Sequence, residues 1–298
     1  MTNSAHVVCV GVITLDTIAQ VVRYPEADER VLASQIVRAG GGPAAVAAVA
    51  IARSGIPVSL IGTIGEDSDG DEVLRILKSE GVGTEGISIG RQPTAGSVII
   101  AASSTMSRAI ATRQPLKQDP VTANAKQLAQ SADWVHVDHV GINLLSELGV
   151  IRGGRAKISF DAGYEIRDTD VALVDYFVPS DRAILDRHVG LSLEEAMERD
   201  AVEGRNTVIV TKGSEGSAGF NEESGHFQAA GFSSEIVSTL GAGDVFHGAL
   251  VAQILLGFPL PEVIRRANAT AAMSCRSLDG MSGIPTLSEL ENYLKGRS

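Results

Sequence analysis

The sequence predicts an α/β protein with a largely parallel central sheet and a small second β sheet, on three observations. Strand-like apolar runs alternate with helix-period segments along most of the chain, the arrangement of a parallel sheet covered by helices. Proline and glycine punctuate the helical segments at their starts and ends. Two stretches, residues 14–38 and 97–113, carry extended patterns with no helix beside them.

Taken in order, residues 6–12 (HVVCVGV) read as the first strand. AAVAAVAIARS reads as a helix, with Pro43 just inside its start and Gly55 just past its end. A strand at 58–61 precedes the helix GDEVLRILKSE, which stops at Gly81. Further strands fall at 134–140, 157–160, 176–178 and 208–211. The helix DVFHGALVAQILL ends at Gly257, and an Ala-rich helix around 265–275 carries Cys275 late in its length. Residues 14–38 read as short extended segments broken by YPEADE, and 97–113 as a hairpin turning near 104–107. These two excursions are expected to form one small sheet beside the ligand edge, a lid on a single domain spanning residues 1–298.

Composition narrows the function. The chain has 298 residues, 44% hydrophobic and 20% charged, so it is not disordered throughout. Its 25 Lys and Arg against 36 Asp and Glu leave a net charge of −11, which argues against a nucleic-acid partner. Cys9 and Cys275 are the two cysteines, and Cys9 in VVCVGV reads as a buried strand residue rather than half of a disulfide. With no signal-like leader and no apolar run of about 18 residues, the expectation is a cytoplasmic protein without membrane contact.

Two glycine-rich turns each feed a helix: Gly40-Gly41-Gly42 before Pro43, and Gly241-Ala242-Gly243 before Asp244. Free N–H groups and the macrodipole at a helix start favour an anion. The dinucleotide pattern GxGxxG is missing after the first strand, and the phosphate-loop string GxxxxGK[ST] does not occur. In GAGD the acid follows two glycines, so an anion on Gly241–Gly243 would lie beside Asp244. That places a base next to a developing phosphoryl charge, as phosphoryl transfer to a hydroxyl requires.

GGGPAAVAAVAIARSG and STLGAGDVFHGAL resemble the two signatures of the ribokinase-like (pfkB) family of carbohydrate and nucleoside kinases. The resemblance extends to VGVITLD, GTIGEDSDG, VIVTKGSEG and SGIPT, in order and over nearly the whole chain. GGGPAA, YPEAD and GAGDVFHGAL are most similar to the branch of ketohexokinases and sulfofructose kinase. The resemblance implies a three-layer, Rossmann-like ribokinase fold with a β lid, ATP and Mg²⁺ near the C-terminal strands, and a sugar under the lid. It places the catalytic base on Asp244 and the anion hole on Gly241, Ala242 and Gly243. An exposed apolar face on the lid would point to a lid-to-lid homodimer.

The same resemblance assigns sugar hydroxyls to Asp16, whose burial among Leu15 and Ile18 would otherwise be costly. Asp28 matches a second sugar-binding acid and reads equally well as a solvated turn residue of EADE. Gly41 and Gly42 match positions where backbone lies against the sugar, and Asp138 an acid reaching it from a strand end. Thr211, Lys212, Gly213, Ser214 and Gly216 match the loop over the nucleotide phosphates and ribose, and Asn268 the helix flanking adenine. Lys212 also reads as an exposed turn lysine, and Asn268 as a solvent-facing helix residue.

Three departures stand out. Ala45 replaces a common Asn. Ser180-Asp181-Arg182-Ala183 replaces NxxE. Ser238 replaces an Asp associated with monovalent-cation binding. Val140 and Thr112 stand where a sulfonate would need Arg and Asn, leaving Arg113 or Arg38 as the basic candidates beside the lid. His136-Val137-Asp138-His139 offers two side chains on one strand face, too few for a closed metal site. His247, three residues after Asp244 on a helix, is placed to hydrogen-bond near it but reads first as a packed helix histidine.

The expected activity is transfer of the γ-phosphoryl group of ATP to a hydroxymethyl group of a ketohexose or a derivative. A ribokinase or nucleoside kinase is the alternative of the same fold. The lid's aromatic content is Tyr24 alone, which speaks against stacking a base. A non-catalytic sugar sensor is the alternative of another class, and the intact GAGD speaks against that.

Overall fold

The computed structural model describes residues 5–114, 121–163, 166–204 and 206–296. In chain order, β1 (Val7–Val10), β2 (Thr14–Val21) and β3 (Ala33–Gly41) lead into α1 (Pro43–Arg53). Then come β4 (Val58–Gly65), α2 (Ser68–Ser79), β5 (Gly83–Gly90), β6 (Ser97–Ala102) and β7 (Ser107–Thr112). The middle of the chain holds α3 (Ala123–Ser131), β8 (Trp134–Val137), α4 (Leu145–Leu148), β9 (Lys157–Asp161), α5 (Asp168–Val171) and β10 (Tyr176–Val178). It continues through α6 (Asp181–Arg187), α7 (Leu193–Gly204), β11 (Thr207–Thr211), β12 (Gly216–Asn221) and β13 (Gly225–Ala230). Helices α8 (Ala242–Leu255), α9 (Leu260–Ser274) and α10 (Leu287–Lys295) complete it.

Among the described residues, nine strands form the main sheet in the order β13-β12-β11-β10-β9-β8-β1-β4-β5. From β5 to β11 every pairing is parallel, and β12 and β13 add an antiparallel edge. This is the expected α/β class. β5, β12 and β13, toward the two ends of the sheet, were not legible as strands because Gly and polar residues interrupt their apolar pattern.

β1 is fully buried between β4 and β8, which explains the unbroken apolar run VVCV. One sheet face packs on α3 and α7, with Phe160, Phe177 and Ile158 at its centre. The other packs on α1, α2 and α8 through Cys9, Leu60, Val49 and Val245. Both cysteines are free and buried. The Ala-rich sequence of α1 has a packing reason. A Cβ at Gly248 of α8 would overlap the carbonyl of Ala47, so the two helices meet nearly backbone to backbone.

The two helix-free excursions do form a second sheet, in the order β3-β2-β6-β7. Its inner face buries Ile18 and Ile99 against Leu278, with Val237 and Leu240 beside them. β3 runs on to Gly41, so the small sheet ends directly in the first glycine turn. Among the described residues, no helix is long and apolar enough to cross a membrane.

Candidate active site

A cavity of about 670 Å³ opens where β9, β10 and β11 end and α8 begins, the edge at which open α/β sheets hold ligands. Asp244, Gly241 and Gly243 line it, with Pro43 from the end of the first glycine turn and Arg108 from the small sheet. Gly241 caps α8 in the left-handed region, φ 74°, and no side chain occupies the helix start. The first N–H groups of a helix have no partner within it. A Cβ on Gly243 would meet nothing within 4 Å. Ala242, Gly243 and Asp244 are the first three residues of α8, so the turn offers an open anion cradle with a carboxylate beside it.

Asp244 is half-buried at the cavity wall. Burial, reinforced by the nearby Asp161 carboxylate, pushes its pKa up to about 8, against the opposing pull of His247 and Arg108. Arg108 donates from Nη1 to Thr239 Oγ1 at 2.9 Å. This guanidinium therefore reaches across from the small sheet to the approach of the GAGD turn. Arg108 escaped the sequence reading, which favoured Arg113 and Arg38. Arg113 is exposed and donates to the Thr94 carbonyl at 2.9 Å, and Arg38 pairs with Asp69. Neither lines the cavity.

The remaining substrate-side expectations divide. Asp16 is buried, accepting from Ser97 N at 2.8 Å and Thr14 Oγ1 at 3.1 Å. Burial raises its pKa, and those hydrogen bonds oppose the rise. Gly41 lies against it, since a Cβ there would overlap Asp16 Oδ2. Gly42 (φ 95°) is packed on the Val12 carbonyl, which a Cβ there would overlap. Asp28 sits on the exposed turn between β2 and β3, at φ 61°. It lies beyond the Val21 end of β2, five residues past Asp16 and so about 17 Å further along the strand. The structure does not bring Asp16 and Asp28 together within this chain.

Asp138 needs a correction. Its carboxylate is fully enclosed and accepts from Val12 N at 2.7 Å and from Val140 N and Gly141 N at 2.9 Å each. A Cβ on Gly11 would overlap it. Asp138 thus ties the turn after β1 to the turn after β8 rather than presenting itself to a sugar. Asn268 is corrected likewise. It is buried, not solvent-facing, and its Nδ2 donates to the carbonyls of Ala229 and Ala230 at 3.1 and 3.3 Å, bracing β13 against α9.

Thr211 lines the cavity at the end of β11. The turn beyond it closes through Lys212 N to the Gly216 carbonyl at 2.8 Å, with Gly213 and Gly216 at φ 57° and 102°. Lys212 is half-buried, Ser214 is exposed, and Gly213 faces open space. Ser180, first residue of the string replacing NxxE, also lines the cavity while capping α6, its Oγ accepting from Ala183 N at 3.2 Å.

The far wall holds Asn143, Asp161, Arg167 and Asp170, absent from the sequence reading, and His139, which was weighed there only as a metal ligand. Arg167 pairs with Asp170 at 2.8 Å and donates to Asn143 Oδ1 at 2.7 Å. Asp161 had a usable signal, because it closes the strand KISFD at the carboxyl end of a parallel strand. His247, read as a packed helix histidine, is buried but lines the cavity, with Nε2 3.3 Å from Asp161 Oδ1.

The model for the pfkB family carbohydrate kinases matches residues 4–150 and 166–287. Ribokinase of Haemophilus influenzae is 28% identical, covering 96% of this chain and 97% of its own length. Ribokinase of Lactococcus lactis is 27% identical over 96% of each. A solved structure of a putative ribokinase from Agrobacterium tumefaciens superposes with a TM-score of 0.88 at 25% identity, covering 99% of this chain and 98% of that one. With a cradle and a carboxylate where phosphoryl transfer needs them, and a family match along nearly its whole length, this chain belongs to the pfkB family of carbohydrate kinases.

Proposed function

We propose that this kinase transfers the γ-phosphoryl group of ATP to a hydroxymethyl group of a small sugar, with Asp244 as the base. The observation that carries this reading is the half-buried carboxylate beside an open helix start on a cavity of about 670 Å³. Asp244 takes the hydroxyl proton as the sugar oxygen bonds to the γ-phosphorus, and the β–γ bridging oxygen leaves with ADP. The N–H groups of Gly241–Gly243 stabilise the negative charge that develops there. Arg108 supplies a cation from the small sheet at the approach to that turn, so the small sheet acts as a lid that also screens water from the phosphoryl group. Asp16 orients the acceptor through its hydroxyls, from the base of the lid.

ATP fits the open side of Gly243 and the turn from Thr211 to Gly216. Among the described residues, no three His, Cys, Asp or Glu side chains are grouped to cage a metal ion. Mg²⁺ would be held with the triphosphate, whose oxygens and bound waters supply most of its ligands. It neutralises phosphate charge when bound.

Ribose is the first acceptor to test, because the full-length relatives carry the name ribokinase. Ketohexoses are the second reading, resting on GGGPAA and Ala45. ADP release measured over ribose, ketohexoses and adenosine decides between them. A preference for adenosine by tenfold or more, about 1.4 kcal/mol in transition-state binding, would overturn the sugar reading. The outer lid face exposes Ile36 and Val98, at 67% and 58%. Pairing of two lids would cover them, and sedimentation of the protein as a monomer would refute that pairing.

A further inference from the structure

Behind the base lies a cluster of ionisable groups for which the reaction above has no use. His247 stands one helical turn after Asp244 on α8, so the two share a face with Cβ atoms about 5–6 Å apart. Its Nε2 is 3.3 Å from Asp161 Oδ1, at the end of β9, and Asp161 also accepts from Gly163 N at 3.1 Å. His136 of β8 stacks behind, with ring centroids 5.7 Å apart.

Their neighbours separate the two histidines. Trp134 Nε1 donates to Ser159 Oγ at 2.8 Å, and that hydroxyl also pairs with His136 Nδ1 at 2.9 Å. Nε2 of His136 and Nδ1 of His247 are both buried without a hydrogen-bond partner. Burial, with His247 adding, holds His136 down at about 3. His247 has the carboxylate that His136 lacks.

We propose that His247 is a positioning residue for phosphoryl transfer: pinned by Asp161, its imidazolium favours the ionised form of the neighbouring Asp244, the form that accepts the proton. This rests on the reading of Asp244 as the base. Without that imidazolium, Asp161 and Asp244 would be two carboxylates in one wall, and a proton would be held on one of them more tightly still. Burial opposes the charge on both partners, yet Asp161 raises His247 and His247 holds Asp161 well below the ordinary carboxylate range. The other charged groups around Asp244 are Asp138, at the end of β8, and Arg108. His139, Arg167 and Asp170 line the far wall. Arg108 belongs to the small sheet, whereas His247 shares the helix of the base and cannot leave it.

The test begins without substrate, on the full chain with isotope-labelled histidine, reading each ring's titration by NMR. His247→Gln identifies the His247 signal by its loss. The expected result is a His247 ring protonated above the ordinary histidine range, whose midpoint falls by about half a pH unit or more in Asp244→Asn, a threefold change in protonation. An unmoved midpoint, or a ring that is neutral at about pH 6, would overturn the proposal.

The second arm follows ADP release with ribose, or with the best sugar of the panel. In His247→Gln the acid limb of kcat/KM should move up by about one pH unit, a tenfold loss near pH 6 that recovers to within about twofold near pH 9. Adding Asp161→Asn should move the limb back. Equal loss at every pH would mark a merely structural role and overturn the proposal. Turnover that survives Asp244→Asn would overturn the base reading, and this proposal with it, even if the histidine titration shows the coupling.

Discussion

The two glycine turns, Gly40–Gly42 and Gly241–Gly243, look alike in sequence and do opposite things in space. Each leads into a buried helix, and the two helices pack against each other through Gly248 and Ala47. In the first turn protein fills every space a side chain would take: Met281 beside Gly40, Asp16 and Thr14 beside Gly41, and the Val12 carbonyl beside Gly42. In the second, Gly241 touches Gly280, but Gly243 faces open cavity. One turn is glycine-rich so that the chain can pack on itself. The other is glycine-rich where a ligand must come close. A glycine run alone does not say which.

Substitutions sharpen that contrast, beginning with the largest effect. Gly42→Ala places a Cβ on the Val12 carbonyl at a positive φ, and should cost about 3–4 kcal/mol of stability from strain and overlap together. Urea denaturation gives the value, and an unchanged midpoint would mean that this turn is not packed as described. Asp244→Asn should retain the fold and lose about 10²-fold or more in kcat, the scale of a lost general base. Steady-state ADP release reads it, and near-normal kcat would remove Asp244 from the chemistry.

Gly243→Ala is the mirror image of Gly42→Ala. With nothing within 4 Å to meet its methyl, stability should stay within about 0.5 kcal/mol of the parent. Activity should fall about tenfold as the methyl enters the phosphate's approach. If stability fell instead of activity, the second turn would be a packing device like the first.

A further effect is one of pH on stability. The folded-state pKa of Asp244 is raised to about 8, above the unfolded value near 3.9. The folded protein therefore holds that proton more tightly, and the associated stability, complete below about pH 4, is lost as pH rises through about 8. Asparagine carries no such proton. The Tm of Asp244→Asn should thus gain on that of the parent between those limits and change no further above them. Differential scanning calorimetry across that range checks it, and parallel curves would place the carboxylate in an ordinary solvated setting.

Periodicity along the sequence carried the α/β class, the central strands, the punctuation of α1, α2 and α8, and the two excursions that make the small sheet. These are local properties, because an apolar period and a helix-ending glycine act within one element. The GAGD turn was legible for the same reason, since the cradle and its carboxylate are neighbours in the chain. The far wall was not. Arg108, Asp161 and His247 meet across the cavity although each comes from a different element, and no spacing in the sequence links them.

Asp138 and Asn268 show the converse. Each matched a ligand-facing position, but the structure commits Asp138 to three backbone N–H groups and Asn268 to two carbonyls. A polar side chain at a strand end or on a helix carries the same sequence signal whether it meets a ligand or an unpaired backbone group. The sequence by itself determined the central strands, the helices α1, α2 and α8, and where a helix start lies open to an anion. Tertiary structure alone decided which polar groups face the cavity. Burial leaves no polar group without a partner at low cost, and only the packed chain shows which partners the protein has already supplied.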